Sequence, residues 1–271
     1  MAEPEHLRRI SASTGLGLQF LVRDERLSLA LEGLRERMPG TILKGGTALN
    51  RVHLAKRDAS RFSEDIDLDI AGKGTVSDVA NAGRKALAGI GAFGVEGPRR
   101  LHNTLRFDCL FTNEFGQRDR IRVEFHLGAT GRLGAKDTLV KSPFVESHPT
   151  IFLVYELEDL LAMKLVALRN RTEGKDIYDL YHGLDLDHDS AKLIEALKGM
   201  LGPYHTSMDD FWPGLLDKLQ KAEGNSRYIG NATNHYIPVR LRPDWEIFIR
   251  SLEQKITQRI LWTAKAGRGR R

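Results

Sequence analysis

The sequence has a single cysteine, Cys109, among 271 residues. One thiol excludes an intramolecular disulfide framework and a cysteine zinc cluster, and it suits a reducing compartment. Long apolar runs are missing as well. No window approaches about 18 uninterrupted apolar residues, and the start MAEPEHLRRISASTG has no apolar signal core. The expectation is a cytoplasmic protein with no membrane attachment. Internal repeats and long low-complexity segments are also lacking, and so are several well-known site patterns. AGKGT lacks the spacing and the Lys-Ser/Thr ending of a P-loop, and GIGAFG follows a helical pattern where a dinucleotide site needs a strand. HGLDLDHD has metal-ligand residue types without a zincin spacing, so loop or helix-cap duty is expected of it.

Among the features present is a modest positive charge. The net charge is +5 and the isoelectric point is near 9.3, with a basic end AKAGRGRR. Such an excess suits a phosphate-rich partner, because neutralised phosphates release counterions. A solubilising end accounts for the tail equally well.

Apolar spacing predicts a helix over 17–37, with Phe20, Leu21, Leu27, Leu31 and Leu34 as its stripe and Pro39-Gly40 as its stop. TILKGG reads as a buried strand ending at two glycines, and TALNRVHL as a helix opening after them. A strand over 61–70 and a helix over 77–87 follow. TLRFDCLF and RIRVEFHL then form a hairpin about TNEFGQRD. From Tyr155 the pattern turns helical, which divides the chain near KSPFVESHPT into domains 1–145 and 146–271.

Within RFSEDIDLDI, Asp65, Asp67 and Asp69 alternate with Ile66, Leu68 and Ile70. A strand sends all three carboxylates to one face, with same-face neighbours roughly 7 Å apart. Like charges held that close raise one another's pKa unless a cation lies between them. The pattern therefore fits a divalent-metal site, and it also fits an exposed strand whose acids face water. Glu124, inside the apolar strand IRVEFHL, would add a third carboxylate if the hairpin lay beside the acidic strand. The Gly45-Gly46-Thr47 turn, between a strand and a helix start, suits an anion or simply a tight connection. Lys164 falls in the middle of the stripe formed by Leu157, Leu160, Leu161 and Leu168, so it snorkels or meets an anion. On the next helix Asp176 flanks the apolar stripe, and Asp179, nearly opposite it, reads as structural or solvent-exposed.

LKGGTALNRVH, RFSEDIDLD, ELEDLLAMKLVALRNR and KDIYDLY, in that order, resemble the motif series of the AbiEii/AbiGii nucleotidyltransferase-like toxins of type IV toxin–antitoxin systems. That family includes the MenT toxins acting on tRNA. The resemblance covers roughly residues 17–184, and four ordered motifs are more specific than any one of them. It implies an α/β fold, a polymerase-β-like mixed sheet followed by a C-terminal helical domain, with the active cleft between them.

The resemblance also implies roles. Lys44, Gly45, Gly46 and Thr47 would bind the nucleotide, the glycines and threonine at its β- and γ-phosphates, with Arg61 and Ser63 near the triphosphate. Arg61 would equally serve to brace the acidic strand. Asp65 and Asp67 would hold Mg²⁺, with Glu124 as a looser third ligand. Lys164 and Asp176 would complete the catalytic set, and Lys175 stands where the family commonly has arginine. Asp69 falls to a supporting or solvent-facing role. The implied reaction moves a nucleoside monophosphate from an NTP to RNA, expected to be a tRNA 3′ end, with a cognate antitoxin as protein partner. A small-molecule or protein acceptor, a kinase-like phosphotransferase and a non-catalytic binder are the alternatives.

Overall fold

The computed structural model describes residues 2–70, 72, 74–147 and 149–261. The basic end AKAGRGRR lies outside them, as do Ala71 and Lys73 of AGKGT and His148 of the 141–150 connection. The chain forms two compact units. One comprises Met1–Thr130, Ala135–Tyr155 and Pro238–Arg240, and the other Gly131–Gly134, Glu156–Ile237 and Leu241–Arg271. The main change of unit thus falls after Tyr155 and not at 145/146, because Thr150–Tyr155 is a strand paired into the first unit's sheet.

That sheet contains β1 (Thr41–Lys44), β2 (Asp65–Ile70), β3 (Gly94–Leu101), β4 (Thr104–Thr112), β5 (Arg118–Leu127), β6 (Ala135–Val140) and β7 (Thr150–Tyr155). Their spatial order is β3-β4-β5-β2-β1-β7-β6. It is mixed: β2 runs parallel to β5 and β1 parallel to β7, and the remaining pairs are antiparallel. The expected hairpin is β4–β5, and it does lie beside the acidic strand. Neither edge strand was foreseen. GVEGPRRL carries Gly, Pro and charge, and AKDTLV is short and mostly polar, so neither shows the apolar alternation of a strand with one buried face.

Alternation assigns the two faces. Ile66, Leu68, Phe107, Val123 and Phe125 are fully buried on one of them, each stabilising the fold by roughly 1.5–3 kcal/mol. Phe107 and Phe125 meet edge to face with centroids 5.7 Å apart. Over these rings lies α4 (Val76–Ala88), started by a reciprocal cap between Thr75 and Asp78. A Cβ on its Gly83 would be 3.0 Å from Phe125 and 3.2 Å from Phe107, so the helix backbone sits directly on the rings. The long α2 (Leu18–Arg37) buries the whole predicted stripe, and α1 (Pro4–Thr14) precedes it. The opposite face carries Asp65, Asp67 and Asp69.

After β1 the chain enters a helix immediately. α3 (Gly45–Ala48) continues into a π turn at Leu49–His53 and a 3₁₀ turn at Leu54–Arg57, where one regular helix was expected. Asn50 anchors this stretch. Its amide donates to the Gly46 carbonyl at 2.9 Å, and its Oδ1 accepts the Arg61 N–H at 2.8 Å.

The second unit is helical: α5 (Leu157–Asn170), α6 (Gly174–Gly183), α7 (Ser190–Leu201), α8 (Met208–Gly224), α9 (Ser226–Thr233) and α10 (Trp245–Lys255). The buried Asp159 carboxylate at the start of α5 accepts the Arg132 and Leu133 N–H groups at 2.8 and 2.9 Å, which ties residues 131–134 to this unit. Asp189 caps α7, in keeping with the cap duty expected around HGLDLDHD. No described helix is long and apolar enough to cross a membrane.

Candidate active site

The end of β1 places glycine where only glycine fits. Gly45 has φ +71°, and a Cβ there would lie 2.2 Å from Asp67 Oδ2. The backbone at Gly45 is thus pressed against the Asp67 carboxylate on the neighbouring strand, where Lys44 and Asp67 are register partners. Thr47, fully buried, donates its hydroxyl to the Asp65 carbonyl at 2.5 Å and lies 3.0 Å from Ser63 Oγ. Arg61 is 3% exposed, and its guanidinium donates to the Phe62 carbonyl at 2.8 Å. Thr47, Ser63 and Arg61 therefore act within the protein as a clamp between the Gly-Gly turn and the start of β2.

The three acids of β2 occupy different environments. Burial, opposed by Arg122 and reinforced by Asp67, Glu64 and Glu124, pushes the Asp65 carboxyl up to about 6. Its Oδ1 is buried, accepts no hydrogen bond and lies 3.1 Å from Arg122 Nε. Asp69 is fully buried and not solvent-facing. It lies 2.5 Å from Lys44 Nζ and 3.3 Å from His126 Nδ1, and it accepts the Tyr155 hydroxyl at 2.7 Å and the Thr130 N–H at 2.5 Å. Burial alone would raise its carboxyl, but His126, Lys44 and Tyr155 together hold it well below the usual carboxylate range. Neighbouring strands supply these partners, which the local pattern of β2 does not contain. Lys44 is accordingly occupied by Asp69 and by Thr130 Oγ1, at 2.9 Å from the latter.

Parallel pairing sets Asp65 beside Arg122, Asp67 beside Glu124 and Asp69 beside His126. Glu124 thus stands in register with Asp67, and its carboxylate is held by Arg106 at 2.7 Å. A hard divalent cation of the Mg²⁺ class commonly takes one or two carboxylates together with waters and substrate phosphates. Asp65, with its unbonded Oδ1, and Asp67 fit that donor set. Glu124 is engaged by Arg106, and among the described residues no group of three His, Cys, Asp or Glu is gathered to hold a metal. Sequence reasoning missed Arg106, Arg122, His126 and Tyr155. Arg120-x-Arg122-x-Glu124 alternates as the acids do, yet its neighbour across the sheet is set by topology.

In the second unit Lys164 is 7% exposed and lies 2.8 Å from Asp176 and 2.7 Å from Asp179. Arg171 donates to the other oxygen of Asp176 at 2.9 Å. Burial would raise the Asp176 carboxyl, but Lys164 and Arg171 outweigh it and hold it below the usual range. Asp179 is fully buried, which corrects its solvent-exposed reading. Positions three apart on a helix differ by only about 60° around the axis, so one lysine on α5 reaches both acids of α6.

A Gly-Gly turn pressed on an acidic strand suits phosphate binding beside carboxylates but does not by itself name a family. The profile of the family described as nucleotidyl transferase AbiEii toxin, type IV TA system, matches residues 29–266. The chain belongs to this AbiEii family. Its fold is similar to that of MenT4, a nucleotidyltransferase toxin from Mycobacterium tuberculosis H37Rv, with a TM-score of 0.58 at 18% identity over 93% of this chain and 89% of that one. It is also similar to JHP933 from Helicobacter pylori, with a TM-score of 0.56 at 15% identity over 94% and 98% of the two chains. At these identities the likeness is one of fold. No curated protein matches the chain by sequence. The AbiEii match extends well past Asp179 into the helices that carry none of the four motifs. Membership makes this a nucleotidyltransferase of a toxin–antitoxin system, with an NTP as substrate and an antitoxin as partner.

Proposed function

We propose that this AbiEii protein transfers a nucleoside monophosphate from an NTP to an RNA hydroxyl, that of a tRNA 3′ end, releasing pyrophosphate. The observation that carries the reading is the junction of Gly45 with Asp67: a backbone that tolerates no side chain abuts one of two adjacent strand acids, the other having a buried oxygen without a hydrogen bond. Bare backbone of this kind lets phosphates approach closely. Asp65 and Asp67 are the residues that would hold Mg²⁺, which when bound supplies neutralising charge to a triphosphate and lowers the pKa of an acceptor hydroxyl.

In this reading the chain's own groups have defined tasks. Gly45 and Gly46 present backbone to the phosphates, and Thr47, Ser63 and Arg61 keep that turn fixed against β2. Lys44 and Asp69 brace the strands beneath. Lys164, fixed by two carboxylates, and Asp176 are assigned to the catalytic set, the lysine to offset phosphate charge. Glu124 is left to Arg106 and assigned no metal. The substrates place the reaction in the cytoplasm.

The test is transfer of label. Each NTP, labelled in the α-phosphate, is incubated with the protein and, separately, total RNA, soluble protein and metabolites. Label on RNA from wild type, and none from Asp65→Ala, supports the proposal. Label on protein or a metabolite replaces the acceptor, and a parallel incubation with γ-labelled NTP that moves label where the α-labelled NTP does not makes the protein a kinase-like phosphotransferase.

A further inference from the structure

The face of the sheet that carries Asp65 and Asp67 continues across β5, β4 and β3, and its cations there are all arginine. Arg118, Arg120 and Arg122 on β5, Arg106 on β4 and Arg99 on β3 share this face by register. No lysine occurs anywhere from Ala86 to Ala135. Arg99 reaches the face through a fault in the pairing. Glu96 pairs with Asp108 but Arg99 with Arg106, so β3 has one extra residue at Gly97-Pro98. In an unbroken ladder residue 98 would oppose Arg106 and Arg99 would turn to the other side. Gly97 makes the bulge possible: it has φ +100°, and a Cβ there would lie 2.7 Å from the Arg106 carbonyl oxygen.

Beneath the arginines lies Asp108, 4% exposed, with one oxygen 3.6 Å from Arg99 and the other 3.6 Å from Arg120. Both arginine side chains remain open to solvent, at 68% and 55%. A buried acid therefore sets two exposed guanidinium groups side by side. Ion pairs of this length on exposed side chains are worth little and yield readily to a stronger anion. Planar guanidinium forks suit phosphate oxygens, and one acid shared between two arginines leaves charge unspent. The outward positions of β4 and β5 carry no Phe, Tyr or Trp, and the one imidazole, His126, lies at the Asp69 end and is engaged by Asp69, which favours the phosphate backbone over stacked bases. The spacing from β2 to β3 spans three strand intervals, roughly 14 Å, so the track starts at the acidic pair and leads away from it.

We infer that Arg99 and Arg120, aligned by Asp108, are a clamp for the phosphodiester backbone of the RNA acceptor, with Arg106 and Arg122 continuing it toward Asp65. This rests on the reading of the protein as an RNA-directed nucleotidyltransferase and adds the surface by which the RNA is held.

The experiment uses the full chain, with total tRNA as the RNA probe, and compares wild type with Arg99→Ala/Arg120→Ala and with Arg99→Lys/Arg120→Lys. Affinity is measured across a salt series, alongside melting temperature and the shift induced by Mg·NTP. The alanine pair should bind tRNA about tenfold more weakly, with a log–log salt slope shallower by about 1.5. Its melting temperature and Mg·NTP shift should match wild type, and the lysine pair should recover part of the affinity. Unchanged tRNA affinity in the alanine pair, while wild type still labels RNA, overturns the clamp and leaves the activity standing. Wild type that neither binds nor labels RNA overturns both.

Discussion

Asp65, Asp67 and Asp69 are equivalent in the sequence pattern and unequal in the fold, and their substitutions separate accordingly. Asp65→Ala and Asp67→Ala should abolish nucleotide transfer in the α-label assay while leaving the protein folded, since both side chains are only half-buried, unlike that of Asp69. Asp69→Ala is a different case. From the family resemblance, which gives it a supporting role, it should leave most of the transfer intact, but it removes the buried partner of Lys44 and Tyr155. A loss of about 3–5 kcal/mol is expected by denaturant titration, and activity should fall with the folded fraction. His182 provides a test by pH. It packs against Tyr178 and Phe248, and burial, helped by Lys255, pushes its pKa down from 6.5 to about 4. The folded state thus binds the proton less well than the unfolded chain. Its contribution is complete above pH 6.5 and is lost as pH falls from 6.5 toward 4. Relative to wild type, His182→Phe should therefore gain about 2 kcal/mol at pH 5 over its effect at pH 8.

The decisive element is the junction of β1 with α3. Its strand and helix were legible as TILKGG followed by TALNRVHL, because a buried apolar run and a glycine stop are local signals. The nearness of Asp67 was not legible: β2 lies antiparallel to β1 only because of how the sheet is ordered. Gly45→Ala tests the junction directly. A left-handed backbone costs an L-residue about 1–2 kcal/mol, and the new methyl would displace the Asp67 carboxylate. Transfer should drop far more than the stability loss explains, which a melting curve run beside the label assay will reveal. The edge strands β3 and β6 were illegible for another reason. With one side unpaired, they need little apolar alternation to be held in place.

At the scale of the molecule, helix content after Tyr155 and mixed sheet before it divide the chain into its two units. The second is tied together by ions as well as by its apolar core. Lys164→Met would leave Asp176 and Asp179 buried without their shared cation, and a loss of about 3–5 kcal/mol is expected. Hydrogen exchange should localise it: amides of α5 and α6 should lose protection while those of β4 and β5 keep theirs. Equal loss in both units would refute a local role for the ion cluster.

By itself the sequence determined the class of protein. Periodicity marks the helices and the central strands, and four ordered motifs point to the AbiEii family, whose profile spans residues 29–266. Motifs survive in a linear reading because each is a turn, strand or helix whose chemistry is contained in a few consecutive residues. Tertiary structure alone decided the partners: Arg122 for Asp65, Arg106 for Glu124, Lys44 and Tyr155 for Asp69, and one lysine for both acids of α6. Strand order and register choose those neighbours. A charged side chain's behaviour depends on what stands a few ångströms away across the sheet, which local sequence does not specify.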